Sequence, residues 1–199
     1  MQYTKEEVRK RILDAARSEF FMRGYDGAAI RSIAAAAGSS PGNLYRYYAN
    51  KQELYAAVVG GVVDECVERT ERLFDVSPAG IERSVNGMVS FVGENREVFA
   101  ILVSGPAEYY ADFLRRFSVS LSHRIRAYAE KNGAQAVAAI TNPGFFDAIA
   151  LGCIASLRPL MESFEAAEAL KDHVLELWRF LFADFIGRLE NMHGPDAKS

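Results

Sequence analysis

The residues best suited to chemistry are crowded into positions 39–51, which read SSPGNLYRYYANK. The segment holds three tyrosines, Asn43, Arg46 and Lys51, and no acid. Arginine can grip guanine O6 and N7, or a phosphate, through two parallel N–H bonds. Asparagine matches adenine or a phosphate, and tyrosine hydroxyls suit phosphate oxygens. A lysine at a helix start adds its charge to the free N–H groups there and makes an anion site. The competing reading is a short aromatic helix buried as core. The direction in which Tyr45, Arg46 and Tyr47 face decides between the two.

No other group of residues offers reaction chemistry. His123, His173 and His193 share no metal-ligand spacing, and neither Cys66 nor Cys153 has a neighbouring His or other base. Gly60-Gly61 sits inside a helical pattern, so it is no phosphate loop. No metal, cofactor or enzymatic activity is expected. Two distant cysteines exclude a disulfide scaffold and fit a reducing compartment. The start, MQYTKEEVRKR, is charged and has no apolar signal region. No apolar run reaches the ~18 residues of a membrane span. The expectation is a soluble, cytoplasmic protein without membrane contact.

Charge is unevenly spread. Residues 1–51 carry nine Lys/Arg against five Asp/Glu, a net of +4, and the remainder carries 14 against 21, a net of −7. A basic end on an acidic body suits a polyanion met by that end alone.

The elements that must position these residues read as helices throughout, about nine in an all-α fold. Thr4 and Glu7 form a capping box. Val8, Ile12, Ala15, Ala16 and Phe20 then make one apolar stripe, and Gly24 stops the helix. A second helix covers 28–37, with Ile30, Ile33, Ala34 and Ala37 inward, and ends at Gly38. Ser40 caps a third, and Pro41 fits its first position because no N–H is needed there. Asn50 and Glu53 box the start of a fourth, with Leu54, Val58, Val62, Cys66 and Leu73 apolar. Ser77-Pro78 and Asn95 open the fifth and sixth, and Gly105-Pro106 breaks the sixth. The seventh runs from Ala107 to about Asn132-Gly133. Asn142-Pro143 opens the eighth, which Pro159 should kink or end. The ninth runs from Ala166-Ala167 to about His193-Gly194-Pro195.

The second and third helices, joined by a short turn with a glycine, describe a helix-turn-helix. Leu44, the one aliphatic on the third helix, should face the small core. That turns Pro41, Gly42, Asn43, Tyr45, Arg46 and Tyr47 toward the rim, a shape able to enter a major groove of about 12 Å. Gly42 would let the backbone approach closely, and Tyr48 should be half-buried against the fourth helix.

Ile12 to Val59 closely resembles the N-terminal domain of the TetR family of bacterial transcriptional regulators. The matching marks are Ala15-Ala16, Phe20, Gly24-Tyr25, Ile33-Ala34, Ala37-Gly38, Gly42, Leu44-Tyr45, Tyr48, Lys51 and Glu53-Leu54, with no gap in spacing. The resemblance implies a DNA-binding repressor that sits as a homodimer on a palindromic operator of double-stranded DNA. A small-molecule effector would release it. It places a helix-turn-helix domain over 1–51 and a ligand-binding and dimerisation domain over 52–199. The DNA-binding set is Arg31, Ser40, Pro41, Gly42, Asn43, Tyr45, Arg46, Tyr47 and Lys51. Two departures stand out. Gly27-Ala28-Ala29 lacks the hydroxyl that often caps the second helix, so Arg31 would supply the phosphate contact. Ser39 replaces a usual apolar residue in the turn.

In the body, Tyr110, Phe113, Leu114, Phe117, Leu121, Ile125 and Tyr128 share one face, and Arg124 falls on it. A charge there needs a partner. It is a ligand anchor, half of an internal salt bridge, or a long stem reaching water. Met88, Phe91, Phe99, Leu102, Tyr110, Phe113, Phe117, Arg124, Phe146 and Ile149 are the candidate lining of a site for an apolar or amphipathic ligand; plain core is the alternative. The last two helices are broadly apolar, with Ala148, Gly152 and Ala155 small. They suit a four-helix bundle between two protomers; deep burial within one protomer is the alternative. The rival functions are a helical ligand carrier or enzyme without DNA binding, and a thiol-responsive regulator using Cys66 or Cys153.

Overall fold

The structure is a computed structural model. It describes the backbone of residues 4–162 and 167–192, and the side chains of 4–158 and 172–192. The helices are α1 (Lys5–Gly27), α2 (Ile30–Ala36), α3 (Pro41–Leu44), α4 (Lys51–Leu73), α5 (Ile81–Glu94), α6 (Arg96–Ser104), α7 (Ala107–Ala138), α8 (Phe145–Glu162), α9 (Ala167–Phe182) and α10 (Phe185–Met192). Among the described residues there is no strand, so the fold is all-α.

The chain ends of the helices follow the caps. Thr4 Oγ1 accepts from the Glu7 N–H at 3.2 Å, and the Glu7 carboxylate accepts from the Thr4 N–H at 2.7 Å. These bonds hold the Glu7 carboxyl below its usual range. Gly24 breaks helical geometry inside α1 with φ 67°, a value that favours glycine. Asn50 Oδ1 accepts from the Glu53 N–H at 2.7 Å, while Glu53 reaches back to the Ala49 N–H at 2.7 Å.

The helices number ten among the described residues, against about nine expected. The extra one arises because Asp184 takes a left-handed φ of 50° and divides the last helix into α9 and α10. Asp tolerates that region better than most residues. Arg188 covers the break by donating to the carbonyls of Phe180, Leu181 and Ala183. α7 also runs past Gly133, where helical geometry lapses at φ −153° and ψ 51°. α8 continues beyond Pro159 to Glu162. The expected ninth-helix limits at Ala166 and around His193–Pro195 lie outside the described residues.

The chain forms two compact units. One comprises Met1–Glu65 and Asn95–Asp112, and the other Cys66–Glu94 and Phe113–Ser199. The first has a core of Ile12, Ala16, Phe20, Ile33, Ala34, Leu44, Leu54 and Tyr55, all under 2% exposed. Ile30 is only half-buried. Tyr55 anchors an aromatic cluster, with ring centroids 5.4 Å from Phe20, 5.2 Å from Tyr25 and 4.9 Å from Tyr109. Its hydroxyl donates to the Ile101 carbonyl at 2.9 Å. Burial pushes that hydroxyl above its usual pKa.

Gly105 makes room for it, since a Cβ there would collide with the hydroxyl and lie 2.8 Å from the Ile101 oxygen. Gly105→Ala is expected to cost about 1–3 kcal/mol by overpacking. Adding Tyr55→Phe should return part of that loss, and an unchanged urea midpoint for Gly105→Ala would contradict the fit.

Candidate nucleic-acid interface

The turn between α2 and α3 is a backbone device. Gly38 sits at φ 62°, its N–H bonds to the Ala35 carbonyl at 3.0 Å, and the Ser39 N–H bonds to the Ala34 carbonyl at 2.8 Å. Such a closure satisfies the last carbonyls of a helix and needs glycine at the left-handed position. Ser40 Oγ then accepts from the Asn43 N–H at 3.2 Å, and Pro41 occupies the first helical position.

α3 proper is four residues long. Bonds from the Arg46 N–H to the Asn43 carbonyl (3.1 Å) and from the Tyr48 N–H to the Leu44 carbonyl (3.1 Å) extend its turns. Leu44 is fully buried and fixes the segment's rotation. Tyr48 is 4% exposed, more deeply buried than the half-buried expectation. Its hydroxyl accepts from Arg9 Nε at 3.3 Å, which ties the segment to α1.

The consequence is an outward face of Gly42, Tyr45 and Arg46, all exposed, with Pro41, Asn43 and Tyr47 half-buried at its edges. Gly42 is open, since a Cβ there would meet nothing within 4 Å. Arg31 and Ser40 are exposed too. No Asp or Glu lies between Asp26 and Glu53, so no acid of this stretch opposes an approaching polyanion.

Two residues of the expected set point elsewhere. Asn43 Nδ2 donates to Ser39 Oγ at 2.8 Å, which gives Ser39 a polar task in the turn. Lys51 turns its ammonium onto the Asp26 and Ala28 carbonyls at 3.2 and 2.9 Å and lies 4.7 Å from the Tyr25 ring centroid. Two of its three donors are thus engaged by the α1–α2 joint.

Sequence reasoning missed a third feature. Glu19, from α1, accepts from the Ala29 N–H at 3.2 Å and serves the start of α2, where no local hydroxyl exists. Arg23 Nε lies 3.4 Å from the same carboxylate. A partner ten residues away leaves no cap signature in the sequence.

In the second unit, the candidate ligand set is divided. Met88 and Phe91 line a cavity of about 370 Å³ with Arg69, Leu73, Phe74, Asp75, Gly80, Arg83, Ser84 and Gly87. Phe113, Phe117 and Phe146 are buried in that unit but do not line it, and Phe113 stacks on Phe117 at 5.6 Å. Ile149 is half-buried. Phe99 and Leu102 are core residues of the first unit, which also holds Tyr110. Arg124, half-buried, donates from Nε to the Phe74 carbonyl at 2.8 Å and so ties down backbone. Leu73, expected on the apolar face of α4, is 71% exposed.

Burial pushes the Cys153 thiol up to about 12, and Cys66 is fully buried with its Sγ 3.8 Å from Met88 Sδ. A maleimide at mildly alkaline pH is expected to label neither cysteine until the protein is denatured. Rapid labelling of the native protein would reopen a thiol switch. Among the described residues, no group of three His, Cys, Asp or Glu could hold a metal, and no helix is long and apolar enough to cross a membrane.

The sequence family described as bacterial regulatory proteins, tetR family, matches residues 12–58. The chain is 29% identical over 138 residues to the HTH-type transcriptional repressor SCO4008 of Streptomyces coelicolor, covering 69% of each protein. It is 36% identical over 59 residues to the HTH-type transcriptional regulator UidR of Escherichia coli K12, covering 30% of each. Its fold is like that of a TetR-like regulator from Rhodococcus sp. RHA1, with a TM-score of 0.66 at 20% identity over 94% of this chain and 99% of that one. A transcriptional regulator from Aquifex aeolicus gives 0.67 at 17% identity, over 88% and 99%. The matched segment, residues 12–58, coincides with the helix-turn-helix built above, so that part of the chain is similar to the bacterial regulatory proteins of the tetR family.

Proposed function

We propose that the chain is a cytoplasmic repressor that binds a palindromic operator as a homodimer and leaves it when a small apolar or amphipathic ligand fills the body. The observation that carries DNA recognition is the outward face of Gly42, Tyr45 and Arg46, set by the burial of Leu44 and Tyr48. Arg46 reads a base or grips a phosphate; Tyr45, Tyr47 and Arg31 contact the backbone; Pro41, Gly42 and Asn43 let the helix end approach. Ser40 acts by capping α3. The repressing sign follows the name of the Streptomyces coelicolor relative.

The homodimer reading rests on apolar side chains left outside. On α8, Ala148, Leu151, Gly152 and Ala155 are exposed at helical spacing, while Phe146, Ala150, Cys153 and Leu157 are buried. On α9, Leu177 and Phe180 are exposed. Two packed helices with apolar residues facing water suit a symmetric pairing of protomers. Two-fold symmetry in the protein requires an inverted repeat in the DNA.

Lys51 is assigned as a strut that fixes the α1–α2 joint. A salt titration of DNA binding distinguishes this from a phosphate contact. Each neutralised phosphate adds about one to the slope of log affinity against log salt. Lys51→Ala is expected to weaken binding with the slope unchanged, and a slope lower by about one would restore the phosphate role.

A further inference from the structure

The first helix brings a run of cations to the α3 segment. Lys5, Arg9, Lys10 and Arg11 stand against Glu6 and Glu7 over about two turns of α1. Glu7 is committed to its capping bonds with Thr4. Both arginines of the run reach the segment or its turn. Arg11 lies over Gly38, where a Cβ would collide with its guanidinium. Arg9 Nε donates to the Tyr48 hydroxyl at 3.3 Å, at the far end of the segment.

The pair of Arg9 and Tyr48 joins a buried group to an exposed one. Tyr48 is 4% exposed, while Arg9 is exposed. A buried tyrosine ring needs a partner for its hydroxyl, and an arginine can supply one while its charged end stays in water. The bond uses Nε, the donor nearest the stem, and so fixes the plane of the guanidinium. Tyr48 first, and the charge of exposed Glu6 after it, favour the charged form of Arg9. Glu6 faces solvent, where salt screens it. Tyr48 shares the inward side of the segment with Leu44, so Arg9 stands behind the outward face of Gly42, Tyr45 and Arg46. A cation in that position meets the sugar-phosphate rim of a groove rather than its base edges.

We propose that Arg9 grips a DNA backbone phosphate beside the groove, with the Tyr48 hydroxyl as the positioning group that holds its guanidinium. The inference rests on the reading of the chain as DNA-binding and widens the interface from α3 to α1. Such a contact fixes register and carries no sequence information. The competing role is a strut, in which Arg9 satisfies Tyr48 and touches no DNA. The two roles differ in one measurable quantity, since only a cation that neutralises a phosphate releases counterions.

The experiment titrates the full chain onto a labelled pool of random-sequence duplexes over a range of salt, reading fluorescence anisotropy. Arg9→Gln is expected to bind about tenfold more weakly at ~0.1 M salt, with the slope of log affinity against log salt lower by about one. Arg9→Lys keeps the charge and should restore most of that slope. Tyr48→Phe keeps the ring and the charge. It should weaken binding about two- to tenfold, the cost of ordering a loosened side chain, with the slope unchanged. Circular dichroism and the urea midpoint check that each variant is folded.

A folded Arg9→Gln with the parent's slope would overturn the phosphate contact, whether or not affinity falls. A slope that Arg9→Lys lowers as far as Arg9→Gln would overturn it too. Full affinity in Tyr48→Phe would remove the positioning role. The parent separates this inference from the reading beneath it. A parent without salt-dependent binding refutes DNA binding itself, and the Arg9 contact with it. A parent that binds, beside an Arg9→Gln of equal slope, refutes the Arg9 contact alone.

Discussion

Glutamate at both Leu151 and Phe180 is expected to turn the protein into a monomer and to cut operator affinity by about 10²–10⁴-fold, the gain that linked binding of two sites confers. Phe180 is 72% exposed and Leu151 51%. Neither is part of the core, so a charge there should change folding stability little. In the proposed dimer both would be desolvated, and unpaired carboxylates in an apolar interface are costly. Arg188 stands 5.8 Å from the Phe180 ring and caps the end of α9, which fixes the outward position of that ring. Sedimentation velocity reads the oligomeric state and a DNA titration reads affinity. A folded variant that remains dimeric would place the interface elsewhere. A monomer with full affinity would mean that one head suffices.

Gly42→Glu is expected to abolish measurable DNA binding in a fully folded protein. Gly42 is exposed and open around its Cβ position, so the fold has room for a side chain. On the proposed interface that room belongs to the groove. A carboxylate facing phosphates adds like-charge repulsion of several kcal/mol to the steric block. Arg46→Ala is the milder companion, expected to cost about 1–3 kcal/mol and to relax specificity at one base position. A loss equal on all sequences would assign Arg46 to a phosphate instead. Native affinity in folded Gly42→Glu would remove the α3 face from the interface altogether.

The head was legible because its local devices use residues with few other uses. Thr4 with Glu7, Gly38 and Ser40-Pro41 each mark a helix end through backbone geometry, while Gly24, expected to stop the first helix, interrupts helical geometry inside α1, which runs on to Gly27. Leu44 was legible for a different reason, as the only aliphatic side chain on its short helix. Tertiary partners were not legible. Glu19 capping Ala29, Lys51 folding back on the Asp26 and Ala28 carbonyls, and Arg124 bonding the Phe74 carbonyl all join positions apart in sequence, and all three act on backbone atoms.

The body illustrates the same limit. Helical periodicity shows that Phe99, Leu102, Met88 and Phe91 face something apolar, but not whether it is one cavity or two cores. Phe99 and Leu102 belong to one compact unit, and Met88 and Phe91 to the other. The break that creates α10 was hidden because Asp184 carries no glycine signal, and the Arg188 that stabilises it lies on the next turn.

The measurement that tests the central claim most directly is a selection of the purified, full-length protein against random duplex DNA at moderate salt, read by sequencing. The account predicts enrichment of an inverted repeat that disappears with Gly42→Glu. A folded, dimeric protein that enriches no sequence would contradict it.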